Sequence, residues 1–390
     1  MFPTFEAYLS NREFQIFVSF IIALFISFQS IPVIINISQL VGVVQNPIKR
    51  SSHKNPTPTF GGIGIFAATL IAFLIWQNQG EESLIHKTLA GLIILFFLGM
   101  KDDLYSLAPT KKILLEVVAS SILIFGADLR IYSFFGIFGV HQIPYLVSAA
   151  ITLFIFIAMI NAMNLIDGID GLAGGIGMIA SAGFGFWFYL HDHFSLACLA
   201  FSLAGSLIGF LRYNMSIKNK VFMGDTGSLL VGFLLTVFAV KFIHLNTAYP
   251  LDPTAMYTAP IIAIFVLVVP IFDTLRVFSI RIINRESPFK ADRNHMHHLL
   301  IDNNFSHNQA TILLCTLTLF LTVAAYLSRQ FFSNTQLFYI IIGLFCSYCL
   351  TADYLDKLRK ANKEKLNNFY GNKTLVNTLN INKTIETDNN

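Results

Sequence analysis

Charged residues are scarce in this sequence, since Asp, Glu, Lys and Arg together make up only 12% of its 390 residues. Soluble domains carry about 25% charged residues. Hydrophobic residues instead reach 55%, with 39 Phe and a mean hydropathy of +0.64. This composition excludes an ordinary soluble globular protein, and we expect no nucleic-acid partner.

Cysteine is rare as well, and internal repeats are lacking. The four cysteines, Cys198, Cys315, Cys346 and Cys349, all lie inside apolar segments. The last two form a C-x-x-C pair without a nearby histidine, so small apolar packing residues explain them better than a redox or zinc site. Because no internal repeat is obvious, the sequence lacks the inverted-repeat pattern of many transporters.

Long apolar segments recur along the chain, each close to the roughly 20 residues that a helix needs to cross a bilayer. The first one lacks the basic start and small-residue cleavage site of a signal peptide. The sequence therefore predicts an all-α, polytopic transmembrane helical bundle. We expect about eleven transmembrane helices, at residues 14–36, 62–77, 86–100, 112–128, 144–161, 172–190, 194–211, 227–244, 258–280, 309–328 and 335–352.

Lys and Arg fall mainly in every second connecting segment. Basic residues accumulate on the cytoplasmic side of membrane proteins. Their distribution therefore predicts a periplasmic N-terminus and a cytoplasmic C-terminus. We predict a transmembrane catalytic domain over residues 1–352 and a partly disordered cytoplasmic tail over residues 353–390, which is basic at first and then rich in Asn, Thr and Lys.

The polar motifs all fall on this cytoplasmic side. They read "KRSSHKNPTPTFGG", "GMKDDLYSLAPTKK", "NAMNLIDGIDGLAGG", "RYNMSIKNKVFMGDTGS" and "RIINRESPFKADRNHMHH". A carboxylate next to an apolar segment, such as Asp225, is unfavourable unless a cation offsets its charge. Mg²⁺ suits one or two carboxylates together with phosphate oxygens. Five carboxylates lie at these span ends: Asp102, Asp103, Asp167, Asp170 and Asp225.

Each motif also has a simpler interpretation. The Asp-Asp pair could cap a helix through its dipole. Asp167 and Asp170 could share a helical face, although the glycines around them favour a tight turn close to a ligand. The histidines of "HMHH" could bind zinc, but no Cys or H-E-x-x-H motif accompanies them, so contacts to phosphate are the better interpretation. Together, the motifs predict an active site for a phosphorylated substrate.

In this order and spacing, the motifs resemble those of the polyprenyl-phosphate N-acetylhexosamine-1-phosphate transferases. The resemblance runs from about Lys49 to Leu300, and "HMHHLL" is similar to the WecA/TagO branch rather than to the peptidoglycan (MraY) branch. The family implies a bacterial inner membrane, with the active site on its cytoplasmic face. It also implies the lipid acceptor undecaprenyl phosphate, a UDP-amino sugar donor and Mg²⁺, with Mn²⁺ as the alternative ion. A homodimer is left open.

The resemblance also implies roles for individual residues. Asp225 matches the Mg²⁺ ligand, with Asn164 as a second ligand. Asp102 matches the aspartate that deprotonates or orients the lipid phosphate, and Asp103 stands beside it. The sequence leaves open whether such an aspartate is the base of a single displacement or the nucleophile of a double one. Catalytic roles are implied for Asp102, Asp103, Asp225, His297 and His298. Substrate contacts are implied for Lys54, Lys112, Asn164, Asp167, Asp170, Phe222, Arg293 and His295.

The sequence departs from the family at Glu116, which replaces a frequent Gln one turn after Lys112, and we expect these two side chains to pair. Asp273 is an intramembrane acid, either functional or a buried hydrogen-bonding group. The expected donor is UDP-GlcNAc, with UDP-MurNAc-pentapeptide or another UDP-amino sugar as the alternative. Of other classes, a transporter would line a path across the bilayer with polar residues. A prenyl-diphosphate enzyme would need D-D-x-x-D, where Ser106 stands instead.

Overall fold

The computed structural model describes residues 11–42, 44–45, 57–76, 82–248, 256–286 and 293–387. Within these ranges the chain forms a helical bundle with one antiparallel pair of two-residue strands, β1 (Val44–Gln45) and β2 (Thr57–Pro58). The helices are α1 (Arg12–Val41), α2 (Gly61–Ile75), α3 (Glu82–Leu104), α4 (Pro109–Gly126), α5 (Tyr145–Ile166), α6 (Leu172–Leu190), α7 (Phe194–Asn214), α8 (Gly224–Leu245), α9 (Ala259–Val266), α10 (Val268–Ile283), α11 (Met296–Asp302), α12 (His307–Ser328) and α13 (Asn334–Thr387). A single 3₁₀ turn, Asn246–Ala248, follows α8.

The helices confirm an all-α polytopic membrane protein. Eight of those in the described ranges are long and apolar enough to cross a membrane, and α9 with α10 makes a bent pair that has the length and composition of a broken span or a re-entrant loop. The shorter α2 and α4 occupy the two remaining predicted segments. The predicted tail boundary at residue 352 stays a prediction, because α13 runs across it without a break.

The segment predicted as one helix over residues 258–280 is divided. Helices α9 and α10 meet at Leu267 with a bend of 79°. Pro270 explains the position of the break. It has no backbone N–H, so the carbonyl four residues earlier loses its helical partner, and the proline ring crowds that carbonyl. Apolar composition alone does not reveal such a break.

Helix α8 lies at the centre of the bundle. In an apolar stretch of 18 residues of α8, 83% of the residues are buried, against 28% in the corresponding stretch of α1 at the periphery. It packs against α2, α3, α5 and α6, and Phe233 and Phe238 are fully buried at these contacts. The buried helix therefore places its first turn, with Asp225, where the ends of its neighbours meet.

Candidate active site

Four helices bring polar side chains together at one end of the bundle. Asp102 comes from the last turn of α3, Lys112 from the first turn of α4, Asn164 from the end of α5 and Asp225 from the start of α8. The Lys112 ammonium lies 2.6 Å from Oδ2 of Asp225 and also contacts Oδ2 of Asp102. Asn164 donates from Nδ2 to Oδ1 of Asp225 (3.0 Å) and to Ser228 (2.9 Å).

Asp103 faces a different partner from that of Asp102. One of its oxygens accepts the backbone N–H of Asp225 (2.8 Å), and the other accepts the N–H (3.0 Å) and the hydroxyl (2.6 Å) of Thr226. The N-cap residue of α8, Met223, provides no side-chain hydrogen bond. Asp103 therefore caps α8 from α3. Gly224 makes room for this contact, since it has φ +70° and a Cβ there would collide with the Asp103 carboxylate.

A second polar pair lies deeper in the bundle. Glu116 is fully buried, and Asn161 donates to its Oε2 at 2.6 Å. The expected Glu116–Lys112 pair does not form in the structure, because the Lys112 ammonium is turned toward Asp102 and Asp225. Asn161 therefore joins α5 to α4, whereas Asn164, about one helical turn later, joins α5 to α8.

The loop between α5 and α6 places its two aspartates in different surroundings. Burial raises the pKa of Asp167 well above its ordinary value, and the nearby Asp225 and Asp103 carboxylates act in the same direction. Asp170 instead accepts from Lys220 (2.6 Å) and His307 (2.9 Å). Burial alone would raise the pKa of Asp170, but these hydrogen bonds outweigh it and leave the pKa below its ordinary value.

The histidine segment, residues 293–298, lies against this loop. The ring of His297 meets Gly168 so closely that a Cβ at that glycine would collide with Nε2. His297 is 1% exposed, and neither of its ring nitrogens has a hydrogen-bond partner within the part of the chain that the structure describes. Arg293 pairs with Asp302 at 2.7 Å, and His295 pairs with Asp273 at 2.7 Å.

Two histidines of this segment are held neutral by their surroundings. Burial lowers the pKa of His298 to about 4, and the neighbouring Arg293 charge adds to the effect. The pKa of His297 is lowered well below its ordinary value, mainly by burial and secondly by the nearby His298 ring. At neutral pH these rings are hydrogen-bonding groups rather than cations.

Phe222 stands beside the site, in a strand-like segment. Its backbone N–H donates to the carbonyl of Pro58 (2.8 Å), and its carbonyl accepts from Gly61 (3.0 Å). The Lys220 ammonium lies 5.4 Å from the centre of its ring. Lys54, which the sequence places near the phosphates, lies outside the described residues.

The cluster suits a divalent cation by the chemistry of its donors. Within the described residues, no group of three His, Cys, Asp or Glu side chains has the arrangement of a complete protein-only metal centre. However, Asp102 and Asp225 converge on one cationic group, the Lys112 ammonium. Mg²⁺ commonly takes one or two carboxylates and completes its shell with water and phosphate. A metal ion bound to both carboxylates would displace Lys112 toward an incoming phosphate.

Several residues of this arrangement were not predicted from the sequence. They are Asn161, Ser228, Lys220 and His307, and each acts through a partner far away in the chain. A cation one position before "VFMGD" and a histidine at the first turn of an apolar helix were the only local signals. Neither signal identifies Asp170 as the partner, because both contacts with Asp170 form through tertiary packing.

The part of the chain that carries the Asp225 cluster matches a known protein family. The family model described as glycosyl transferase family 4 matches residues 85–243, a stretch that contains Asp102, Lys112, Asn164 and Asp225. The histidine segment lies beyond that stretch.

Three relatives extend the similarity. The undecaprenyl-phosphate alpha-N-acetylglucosaminyl 1-phosphate transferase of Yersinia pestis is 30% identical over 280 residues, which cover 70% of this chain and 73% of the relative. The protein of the same name from Escherichia coli O157:H7 is 28% identical, covering 71% and 74%. The probable undecaprenyl-phosphate N-acetylglucosaminyl 1-phosphate transferase of Bacillus subtilis (strain 168) is 28% identical over 335 residues, covering 86% and 90%.

Proposed function

This chain belongs to glycosyl transferase family 4, together with the undecaprenyl-phosphate N-acetylglucosaminyl 1-phosphate transferases, and from that premise we propose that it transfers a sugar-1-phosphate from a UDP-sugar to undecaprenyl phosphate. An oxygen of the lipid phosphate attacks the β-phosphorus of the donor. The bond from that phosphorus to the bridging oxygen breaks, and UMP leaves. One phosphoanhydride replaces another, so the reaction is close to balanced and reversible.

The observation that carries this proposal is the convergence of Asp102, Lys112, Asn164 and Asp225 from four helices. Two anionic phosphates must be brought together in this reaction, which is a task of positioning and charge compensation. A cluster at the end of a membrane bundle suits it, because the acceptor is embedded in the bilayer while the nucleotide sugar is soluble.

The proposed cofactor is Mg²⁺, held by Asp225 with Asn164 and Asp102 close by. When bound, the ion neutralises developing charge on the phosphate oxygens and orients the diphosphate. Lys112 then contacts a phosphate, and Asp102 accepts the proton of the lipid phosphate or orients it. Asn164 donates to Asp225 from its Nδ2, which leaves its Oδ1 as the atom for a metal or a sugar hydroxyl.

The loop that carries Asp167 lies near Asp225 and Asp103, and further predicted residues meet this loop. His297 reaches the Asp167 loop at Gly168, and the N–H of its neutral ring, which has no partner within the described residues, suits an oxygen of a diphosphate or a sugar. Arg293 and His298 lie in the same segment, while Phe222 offers a ring face to the nucleobase. We propose UDP-GlcNAc as the donor and the cytoplasmic face of a bacterial inner membrane as the location.

The test is UMP release by the purified protein with undecaprenyl phosphate, Mg²⁺ and one UDP-sugar at a time. We expect UMP with UDP-GlcNAc, none with UDP-MurNAc-pentapeptide, and loss of turnover in EDTA that Mg²⁺ or Mn²⁺ restores. Omitting undecaprenyl phosphate is the control for simple hydrolysis. Turnover with the pentapeptide donor alone would assign the chain to the peptidoglycan branch. Absence of UMP with every donor would refute the transferase assignment.

A further inference from the structure

Asp273 is a buried acid on α10, away from the cluster at the start of α8. It is 1% exposed, and three donors meet at its carboxylate. They are Nδ1 of His295 (2.7 Å), the backbone N–H of Met296 (2.7 Å) and the hydroxyl of Tyr348 from α13 (3.2 Å). A buried carboxylate is costly unless hydrogen bonds compensate it, and two of these three donors belong to the histidine segment.

The same two helices hold the histidine segment at further points. Arg276, about one turn after Asp273 on α10, donates to the carbonyl of Asn294 at 2.6 Å. From α13, Arg359 donates to the carbonyl of Arg293 at 3.1 Å. The backbone on either side of His295 is therefore tied to α10, and the start of the segment is also tied to α13.

This attachment extends to the ring of His297, which packs on the loop between α5 and α6. The rings of His295 and His297 are stacked, with their centroids 5.7 Å apart and their planes 15° from parallel. His297 in turn packs on Gly168, between Asp167 and Asp170. Because Asp273 fixes Nδ1 of His295 and caps the first turn of α11 through Met296, it also sets where the ring of His297 lies.

We propose that Asp273 is a positioning residue of the transfer reaction, which anchors the histidine segment so that His297 meets the substrate diphosphate. This proposal rests on the proposed function. Asp273 does not itself reach substrate, because its carboxylate is enclosed by His295, Met296 and Tyr348. Partners that orient a functional histidine typically change activity by about 10–100-fold when they are lost.

Hydrogen–deuterium exchange tests the anchoring without any substrate. We compare the wild type with Asp273→Asn, Tyr348→Phe and a control, Thr318→Val. Thr318 is equally buried, but within the described residues its hydroxyl donates only to the carbonyl of Leu314 in its own helix, at 3.0 Å. We expect the amides of Met296–Asp302 to exchange at least about tenfold faster in Asp273→Asn, less so in Tyr348→Phe, and at the wild-type rate in Thr318→Val. Unchanged exchange in Asp273→Asn would overturn the anchoring.

Turnover tests whether the anchoring serves the reaction. For Asp273→Asn we expect kcat to fall about 10–100-fold, with a change in unfolding temperature no larger than that of Thr318→Val. The double variant with His295→Gln should lose no more activity than the more severe single variant, since both act through one segment. Multiplied losses, or full kcat despite faster exchange, would overturn the proposal. If the wild type released no UMP, the proposed function would fall, whereas the exchange rates would still decide whether Asp273 anchors the segment.

Discussion

Asp102 and Asp103 are adjacent in the sequence, yet they have separate tasks, because successive residues of a helix point about 100° apart. Asp102 turns toward Lys112 and the open end of the cluster, and it also accepts the backbone N–H of Leu107 at 2.6 Å. Asp103 turns inward and caps α8. Under the proposed function Asp102 is the carboxylate that meets the substrates, while Asp103 holds Asp225 in place.

This difference gives a prediction for three matched variants. Asp225→Asn and Asp102→Asn should each lower kcat by about 10²–10³-fold, as is usual for loss of a charged group that stabilises the transition state. Their unfolding temperatures should stay near that of the wild type. Asp103→Ala should lower kcat and also cost about 1–2 kcal/mol of unfolding free energy, because it removes the cap of α8. UMP release and thermal unfolding in detergent measure both effects.

An Asp103→Ala variant as stable as the wild type would show that the cap is dispensable. A measurement of nucleotide-sugar binding distinguishes Asp102→Asn from Asp225→Asn, since Asp102→Asn should still bind the nucleotide sugar. Full turnover of Asp225→Asn, or wild-type turnover in EDTA, would contradict a metal ion at that carboxylate.

At the residue scale, the sequence showed which side chains are chemically costly in a membrane and therefore informative. It could not show their partners. The spacing of one helical turn predicts that Glu116 pairs with Lys112. In the structure, Lys112 instead contacts two carboxylates from other helices. Asn161 then supplies the hydrogen bond to Glu116. Such choices depend on helix packing, which spacing along the chain does not encode.

At the scale of elements, the loop between α5 and α6 is held by a cluster of three ionisable side chains. Asp170 receives hydrogen bonds from Lys220, which precedes α8, and from His307, which begins α12. Thr311 of α12 also donates to the Asp170 carbonyl at 2.6 Å. The cluster joins three segments that are far apart in the sequence, and it keeps Gly168 against His297.

Stability at low pH tests this cluster. The folded-state pKa of Asp170 lies below its ordinary value of about 3.9 because Lys220 and His307 favour the charged form. Its stabilisation is therefore complete above about pH 4 and is lost as pH falls through the lowered pKa. Asp170→Asn should cost about 2 kcal/mol of unfolding free energy at pH 7. That difference should shrink below about pH 4.

Thermal unfolding in detergent from pH 3 to pH 7 provides the measurement. The control is Asp192→Asn, whose side chain is 84% exposed and lies 3.9 Å from Arg12. An exposed pair of this kind contributes little, so this variant should follow the wild type at every pH. A constant difference between Asp170→Asn and the wild type over the whole range would contradict the assigned linkage.

Elements were predictable where their cause is local. Apolar length gave the positions of the spans, because a helix must be long enough to cross the bilayer. The break at Leu267 has only an ambiguous local signal in Pro270, since Pro32 lies inside the unbroken helix α1, and the attachment of α11 to α10 and α13 has none. The first depends on how Pro270 is accommodated, and the second on single hydrogen bonds such as that from Met296 to Asp273.

At the scale of the whole molecule, the polar residues around Asp225 that the structure describes gather at one end of the bundle. Helices α3 and α5 end there, and α4 and α8 begin there, as their Asp102, Lys112, Asn164 and Asp225 contacts require. A transporter would instead need polar groups along a path between the two faces. Which face of the membrane this end meets is a prediction from the distribution of Lys and Arg.

Reporter fusions test that prediction at two sites one span apart. A reporter fused after residue 390, beyond α13, should be active only if it is of the kind that works in the cytoplasm. A reporter fused after Ser333, in the turn between α12 and α13, should show the opposite preference, because α13 then no longer returns the chain across the membrane. The second fusion is the control for the first, since both share every preceding span. The reverse pattern at both sites would place the Asp225 cluster on the periplasmic face, where a cytosolic nucleotide sugar could not reach it, and the proposed donor would have to be abandoned.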